Sequence, residues 1–113
     1  MKDKSRTALI KMREHAVKAL KYIEGFDLNN FMVDSKTVEA CVFNISQIGE
    51  LVQNVDPSII NKYNKVNWHG IKGLRNRIIH DYTGIKLQMI WSVLSESLPK
   101  LIEDIDTILE MEK

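Results

Sequence analysis

The chain has 113 residues, 44% of them apolar and 27% charged, with a net charge of +1. These values fit one soluble globular domain with its own core, and they exclude a disordered polyelectrolyte or a polycationic nucleic-acid coat. Two prolines and five glycines leave little room for a many-turned β fold. The periodicity predicts a first helix from about Lys4 to Glu24, where Leu9, Met12, Ala16, Ala19, Leu20 and Ile23 form one apolar stripe. Gly25 suits its end. Phe26 to Asp34 reads as a connector with room for a short helical turn. Asp34 or Ser35 caps a second helix that buries Val38, Cys41, Val42, Ile45, Ile48 and Val52 and ends near Asn54. Asp56-Pro57 is a cap followed by proline at the first helical position, and it opens a short helix to about Lys62.

Asn67 caps a third long helix, predicted over Trp68 to about Tyr82 with Gly84 at its stop. Gly70 and Gly73 lie inside it. Glycine costs a helix about 1 kcal/mol relative to alanine, so both glycines predict close approach of a neighbouring backbone. The last helix runs from about Lys86 towards Glu112, and Pro99 kinks or restarts it. No alternating strand pattern, internal repeat or low-complexity tract is present. The expected fold is all-α, an antiparallel bundle of about four long helices plus a short helix, in a single domain over residues 1–113.

The single cysteine, Cys41, rules out an internal disulfide and suits a reducing cytoplasm; its place on an apolar face makes it core. No apolar run reaches the ~18 residues of a membrane span, and the start MKDKSRT lacks the apolar stretch of a signal peptide. Charge is unevenly placed. From Pro57 to His80 there are five basic residues and no acid, whereas Glu96 to Lys113 holds six acids against two lysines. The basic block can attract a polyanion locally.

That block contains the chemistry. Arg75-Asn76-Arg77-Ile78-Ile79-His80-Asp81-Tyr82 places an arginine, an amide, a histidine and a tyrosine near a helix end. A guanidinium holds a phosphate through two hydrogen bonds. Histidine is the side chain best suited to proton transfer near neutral pH. On an ideal helix Arg75 and His80 are ~140° apart, whereas Asn76 and His80 share a face. A site using both Arg75 and His80 therefore favours a second copy of the helix, or a helix that ends early. His15 and His69 have no metal-ligand spacing around them. Trp68 and Trp91 read as packing anchors, with base stacking open to Trp68.

Arg75-x4-His80-x-Tyr82 resembles the R-x4-H-x-Y motif of the HepT toxins in the HEPN domain family. Ile48-Gly49-Glu50 resembles the family's Ile-Gly-Glu segment, and Trp68 to Leu74 its tryptophan-led approach to the motif. Trp91 and Leu98-Pro99 stand where the family often carries a tryptophan and a leucine-proline pair. The resemblance implies a HEPN-like helical bundle, a homodimer with both motifs in one cleft, and a metal-independent endoribonuclease without a cofactor. Arg75, Asn76 and His80 are the implied catalytic set, with Gly49 allowing close helix packing and Glu50 making a polar contact near the motif. Lys65, Lys72 and Arg77 are candidates for flanking RNA phosphates. Tyr82 is the implied AMPylation site of a partner nucleotidyltransferase, an MntA-like antitoxin. A tRNA or an mRNA suits the site equally. The alternative is a non-catalytic HEPN module that binds nucleotide or docks that nucleotidyltransferase.

Overall fold

Apolar residues at helical spacing, with polar caps between them, fold as the patterns predict. A computed structural model describes the backbone of residues 1–80 and 87–113, and the side chains of these except Ile79 and His80. Helix α1 (Asp3–Tyr22) buries Ala8, Leu9, Met12, Ala16 and Ala19 along one face. It gives way to a turn in which Gly25 takes φ 79°, a conformation that side-chain-bearing residues resist. The connector forms a short helix, α2 (Leu28–Met32). Asp27 and Asn30 cap it reciprocally, each side chain taking the other's backbone N–H at 2.8 Å. This turn drives Phe31 into the core, where its ring meets Trp91 at 5.2 Å.

Helix α3 (Ser35–Leu51) starts at Asp34, whose carboxylate accepts from the Thr37 N–H at 3.0 Å. It is the central element, packing against α1 on one flank and α5 on the other. A 3-10 turn (Val52–Asn54) finishes it, so the expected end near Asn54 is reached with a tightened last turn. Asp56 caps α4 (Pro57–Lys62) through the Ser58 N–H, with Pro57 in the first turn.

Helix α5 (Trp68–His80) begins at Asn67, whose side-chain oxygen accepts from the Gly70 N–H at 3.1 Å. Its expected continuation to Tyr82 and its stop at Gly84 lie outside the described residues. The glycine expectation is corrected. A Cβ on Gly70 would strike the Asn67 side chain that caps its own helix, and among the described residues nothing stands within 4 Å of a Cβ on Gly73. The close approach is at Gly49 of α3 instead, where a Cβ would stand 2.9 Å from the Ile71 carbonyl oxygen and 3.2 Å from the Arg75 nitrogen. That glycine sets the distance between α3 and α5.

The last segment comprises α6 (Leu87–Ser92), a π turn (Val93–Ser97) and α7 (Leu98–Met111). The π turn carries the Leu98 N–H to the Val93 carbonyl. Widening the helix here eases the clash that the Pro99 ring would make with the preceding turn, so the expected restart takes this form. Helix α7 packs on α1. Acids of this last segment reach other helices: Asp106 of α7 pairs with Arg13 at 2.6 Å, and Glu112, just past α7, with Lys62 at 2.7 Å.

The described residues are helical with no strand, an all-α bundle with four long helical segments. Its core cluster draws on all the helices, from Ala8 to Ile108. Cys41 is fully buried within it, which pushes its thiol up to about 11 and keeps it protonated at neutral pH. Among the described residues no helix is long and apolar enough to cross a membrane.

Candidate functional site

The site is built on α5. Trp68, Leu74 and Ile78 turn into the core, which fixes the rotation of the helix. Trp68 is further pinned by its indole N–H, which donates to the Tyr63 carbonyl at 3.0 Å. At 6% exposure it is a packing anchor with no face free for a base. With the core face fixed, Lys72 and Asn76 stand on the solvent side and Arg75 leaves along the α3 edge. The backbone is helical through His80, so Arg75 and His80 are ~140° apart around one axis. The His80 side chain and all of Tyr82 lie outside the described residues.

Arg75 meets Glu50 across the α3–α5 seam, with its Nε 2.7 Å from Glu50 Oε2. The other Glu50 oxygen accepts from the Gln53 amide at 3.1 Å. Both Arg75 and Glu50 are about half exposed, so the pair adds little stability, of order 0–1 kcal/mol. Its effect is on position. A guanidinium has five N–H donors, and contact at Nε engages one edge of it. Gly49 makes this pairing possible by letting α5 come within reach of the neighbouring Glu50. The polar contact expected of Glu50 is thus with Arg75 itself. The part of Gln53 was missed, although its i, i+3 spacing from Glu50 was readable.

The remaining basic candidates separate. Arg77 lies on the opposite edge of α5, its Nη2 2.7 Å from Met89 Sδ. It lines a groove of about 450 Å³ between α5 and α7 with an apolar floor that includes Leu74 and Leu101. Lys65 lines a smaller groove of about 250 Å³ that shares Val66, Lys100 and Asp104 with the first. Lys100 is paired with Asp104 at 2.8 Å, which offsets its charge on this flank. Of the described candidates, Lys72 and Asn76 are exposed on α5 beside Arg75. His15 Nδ1 lies 2.8 Å from Asn44 Oδ1, and this polar contact joins α1 to α3. His69 is exposed on α5.

Residues 12–108 match the family described as Ribonuclease HepT-like. The chain belongs to the HepT-like ribonuclease family. "Putative RNase MJ0127" of Methanocaldococcus jannaschii is 31% identical, covering 93% of this chain and 87% of that protein. "Putative RNase TTE0752" of Caldanaerobacter subterraneus subsp. tengcongensis is 32% identical over 80% of this chain and 81% of its own length. "Probable ribonuclease HepT" of Thermococcus cleftensis is 26% identical over 78% of this chain and 84% of its own. No solved structure matches the chain at a significant level. In this HepT-like chain α5 carries the motif arginine at the surface, steadied by a carboxylate, beside an exposed amide. That arrangement suits binding and polarising a phosphodiester.

Proposed function

We propose that this HepT-like chain is a metal-independent endoribonuclease that cleaves RNA at an Arg75/His80 site completed across a homodimer. The observation that carries the reading is the half-exposed Arg75, paired at 2.7 Å with Glu50 on the open side of α5 in a chain of ribonuclease family. One imidazole takes the proton of the ribose 2'-hydroxyl. The 2'-oxygen then bonds to phosphorus as the bond to the 5'-oxygen breaks. A second imidazole, from the partner copy, gives its proton to that leaving oxygen. The products are a 2',3'-cyclic phosphate and a 5'-hydroxyl. Arg75 stabilises the charge that grows on the equatorial oxygens, and Asn76 orients His80 or donates to a phosphate oxygen.

The same reading makes the chain the toxin of a type VII-like toxin–antitoxin pair in the cytoplasm. An MntA-like nucleotidyltransferase neutralises it by AMPylation of Tyr82. The tyrosine oxygen bonds to the α-phosphorus of ATP and pyrophosphate leaves. A bulky anionic group two residues from His80 occupies the phosphate site and repels RNA.

The deciding experiment incubates the unmodified dimer, its intact mass checked, with total tRNA and excess EDTA. Wild type should leave cyclic-phosphate ends and His80→Ala should not cut, with its dimer intact. Equal cleavage by both proteins would remove His80 from the chemistry. No cleavage of tRNA or mRNA by unmodified wild type would favour the non-catalytic binding module.

A further inference from the structure

Glu50 is the penultimate residue of α3, where the negative end of the helix dipole disfavours a carboxylate. It also stands beside the arginine assigned to the phosphate, where an acid repels RNA. Both costs call for a compensating use. The two oxygens of Glu50 have different partners: Oε2 stands 2.7 Å from Arg75 Nε, and Oε1 accepts from the Gln53 amide nitrogen at 3.1 Å. Gln53 lies exposed in the 3-10 turn (Val52–Asn54) that closes α3. Side chains three residues apart eclipse in 3-10 geometry, so the tightening of the chain sets Gln53 over Glu50. The turn is fixed in its turn by the buried Val52 and Val55, and it packs against α1 and α5. A core-anchored turn is thus connected to the motif arginine through two side chains.

We propose that Gln53 is a positioning residue for cleavage, holding Glu50 in the rotamer that presents Arg75 to the phosphate. The proposal rests on the ribonuclease reading above and adds a residue that acts on the reaction only through Glu50. A carboxylate whose one oxygen is held by an amide is no longer free to turn, so its other oxygen offers Arg75 Nε a fixed place. A guanidinium held at Nε turns the edge made by its two terminal nitrogens away from its holder, and that edge can grip a phosphate by two hydrogen bonds. Without the Gln53 amide, Glu50 and Arg75 keep their charges but sample several pairings. The ordering of Arg75 then has to be made during the reaction, which lowers kcat more than it weakens binding. The opposite role, a carboxylate that competes with RNA for Arg75, predicts the opposite sign, because removing the charge of Glu50 would then speed cleavage.

Steady-state cleavage of tRNA by the full chain tests this, with wild type, Gln53→Met and Glu50→Gln side by side and Gln53→Met repeated in an Arg75→Lys background. Methionine keeps the length and helix propensity of glutamine without a donor. Gln53→Met should lower kcat about 3- to 10-fold, the range of one hydrogen bond, with KM within about 2-fold of wild type. Glu50→Gln should lower kcat at least as far. In Arg75→Lys, whose ammonium has no Nε edge to hold, Gln53→Met should have no further effect. Helical content and melting temperature of Gln53→Met should match wild type, because the side chain is exposed. Unchanged kcat in folded Gln53→Met overturns the proposal. So do equal losses in both backgrounds, which a merely structural Gln53 would give, and so does faster cleavage by Glu50→Gln. A readout without RNA separates this proposal from the nuclease reading. The Arg75 Nε–H signal in NMR, identified by its loss in Arg75→Lys, should exchange with water several-fold faster in Gln53→Met than in wild type. That change without any cleavage by wild type keeps the Gln53–Glu50–Arg75 chain and removes the nuclease. Cleavage by wild type with neither kcat nor exchange altered in Gln53→Met does the reverse.

Discussion

At the scale of single residues, what a glycine touches decides what its replacement does. Gly49 lies where α3 and α5 backbones meet, and a Cβ there would press on the Ile71 carbonyl at 2.9 Å. Gly49→Ala should destabilise the fold by about 1–3 kcal/mol and spread the seam that holds Glu50 to Arg75. Gly73 faces open space among the described residues, so Gly73→Ala should stabilise by roughly 0.5–1 kcal/mol through helix propensity alone. Urea titrations of the two variants check both signs, and two shifts in the same direction would refute the assignment. Arg75 meets Glu50 through Nε, and in the proposed mechanism the rest of its planar guanidinium holds the phosphate, so Arg75→Lys should keep the charge, keep the fold, and lose cleavage about 10- to 100-fold. Steady-state kinetics on a tRNA substrate would show it, and near-wild-type kcat/KM would mean that charge alone suffices.

At the scale of elements, the ends of the bundle are tied by charged hydrogen bonds. Glu112, just past α7, accepts from Lys62 Nζ at 2.7 Å and from the Tyr63 hydroxyl at 2.6 Å, which joins α7 to α4. The Lys62 bond, then the Tyr63 bond, hold the Glu112 carboxyl below its usual range, while the same contacts raise Lys62 and Tyr63. A depressed carboxylate contributes stability above its unfolded pKa and loses it as pH falls through the folded one. Raised lysine and tyrosine pKa values make the same contact fade again as pH rises through them. Glu112→Gln should therefore lower the melting temperature near pH 7, with a difference from wild type that shrinks towards pH 3. A constant difference from pH 7 to 3 would show that the carboxylate charge contributes nothing. The caps were legible because aspartate, asparagine and proline act within one turn of themselves. The π turn before Pro99 was not, because proline states that a helix must adjust and leaves open which turn adjusts.

At the scale of the whole molecule, charge is balanced by pairing across the fold. The acidic end of α7 is met by Arg13 and Lys62, and its own Lys100 pairs with Asp104. The basic block is split by the rotation of α5, which leaves Lys72 and Arg75 on the site's surface and turns Arg77 to the α7 groove. In the proposed dimer those two cations count twice, so RNA binding should respond weakly to salt. A plot of log affinity against log salt should be no steeper than about −3, at roughly −0.7 per neutralised phosphate. A much steeper slope would mean that Lys65 and Arg77 also lie on the RNA path.

The helical elements, their caps and the core stripes were readable from residue order, because apolar spacing and local hydrogen bonding act over a few residues. Residue order also carried the family, through Arg75, His80, Tyr82 and the Ile48-Gly49-Glu50 segment, since a motif is a property of order along the chain. The resemblance already implied close packing at Gly49 and a polar contact by Glu50; the tertiary structure decided that Gly70 and Gly73 are not points of close backbone approach, that the partner of Glu50 is Arg75, and that Phe43 is left in water. Each of these depends on how α5 is rotated and how near it stands to α3. That rotation follows from the burial of Trp68, Leu74 and Ile78 together, a sum over contacts far apart in sequence.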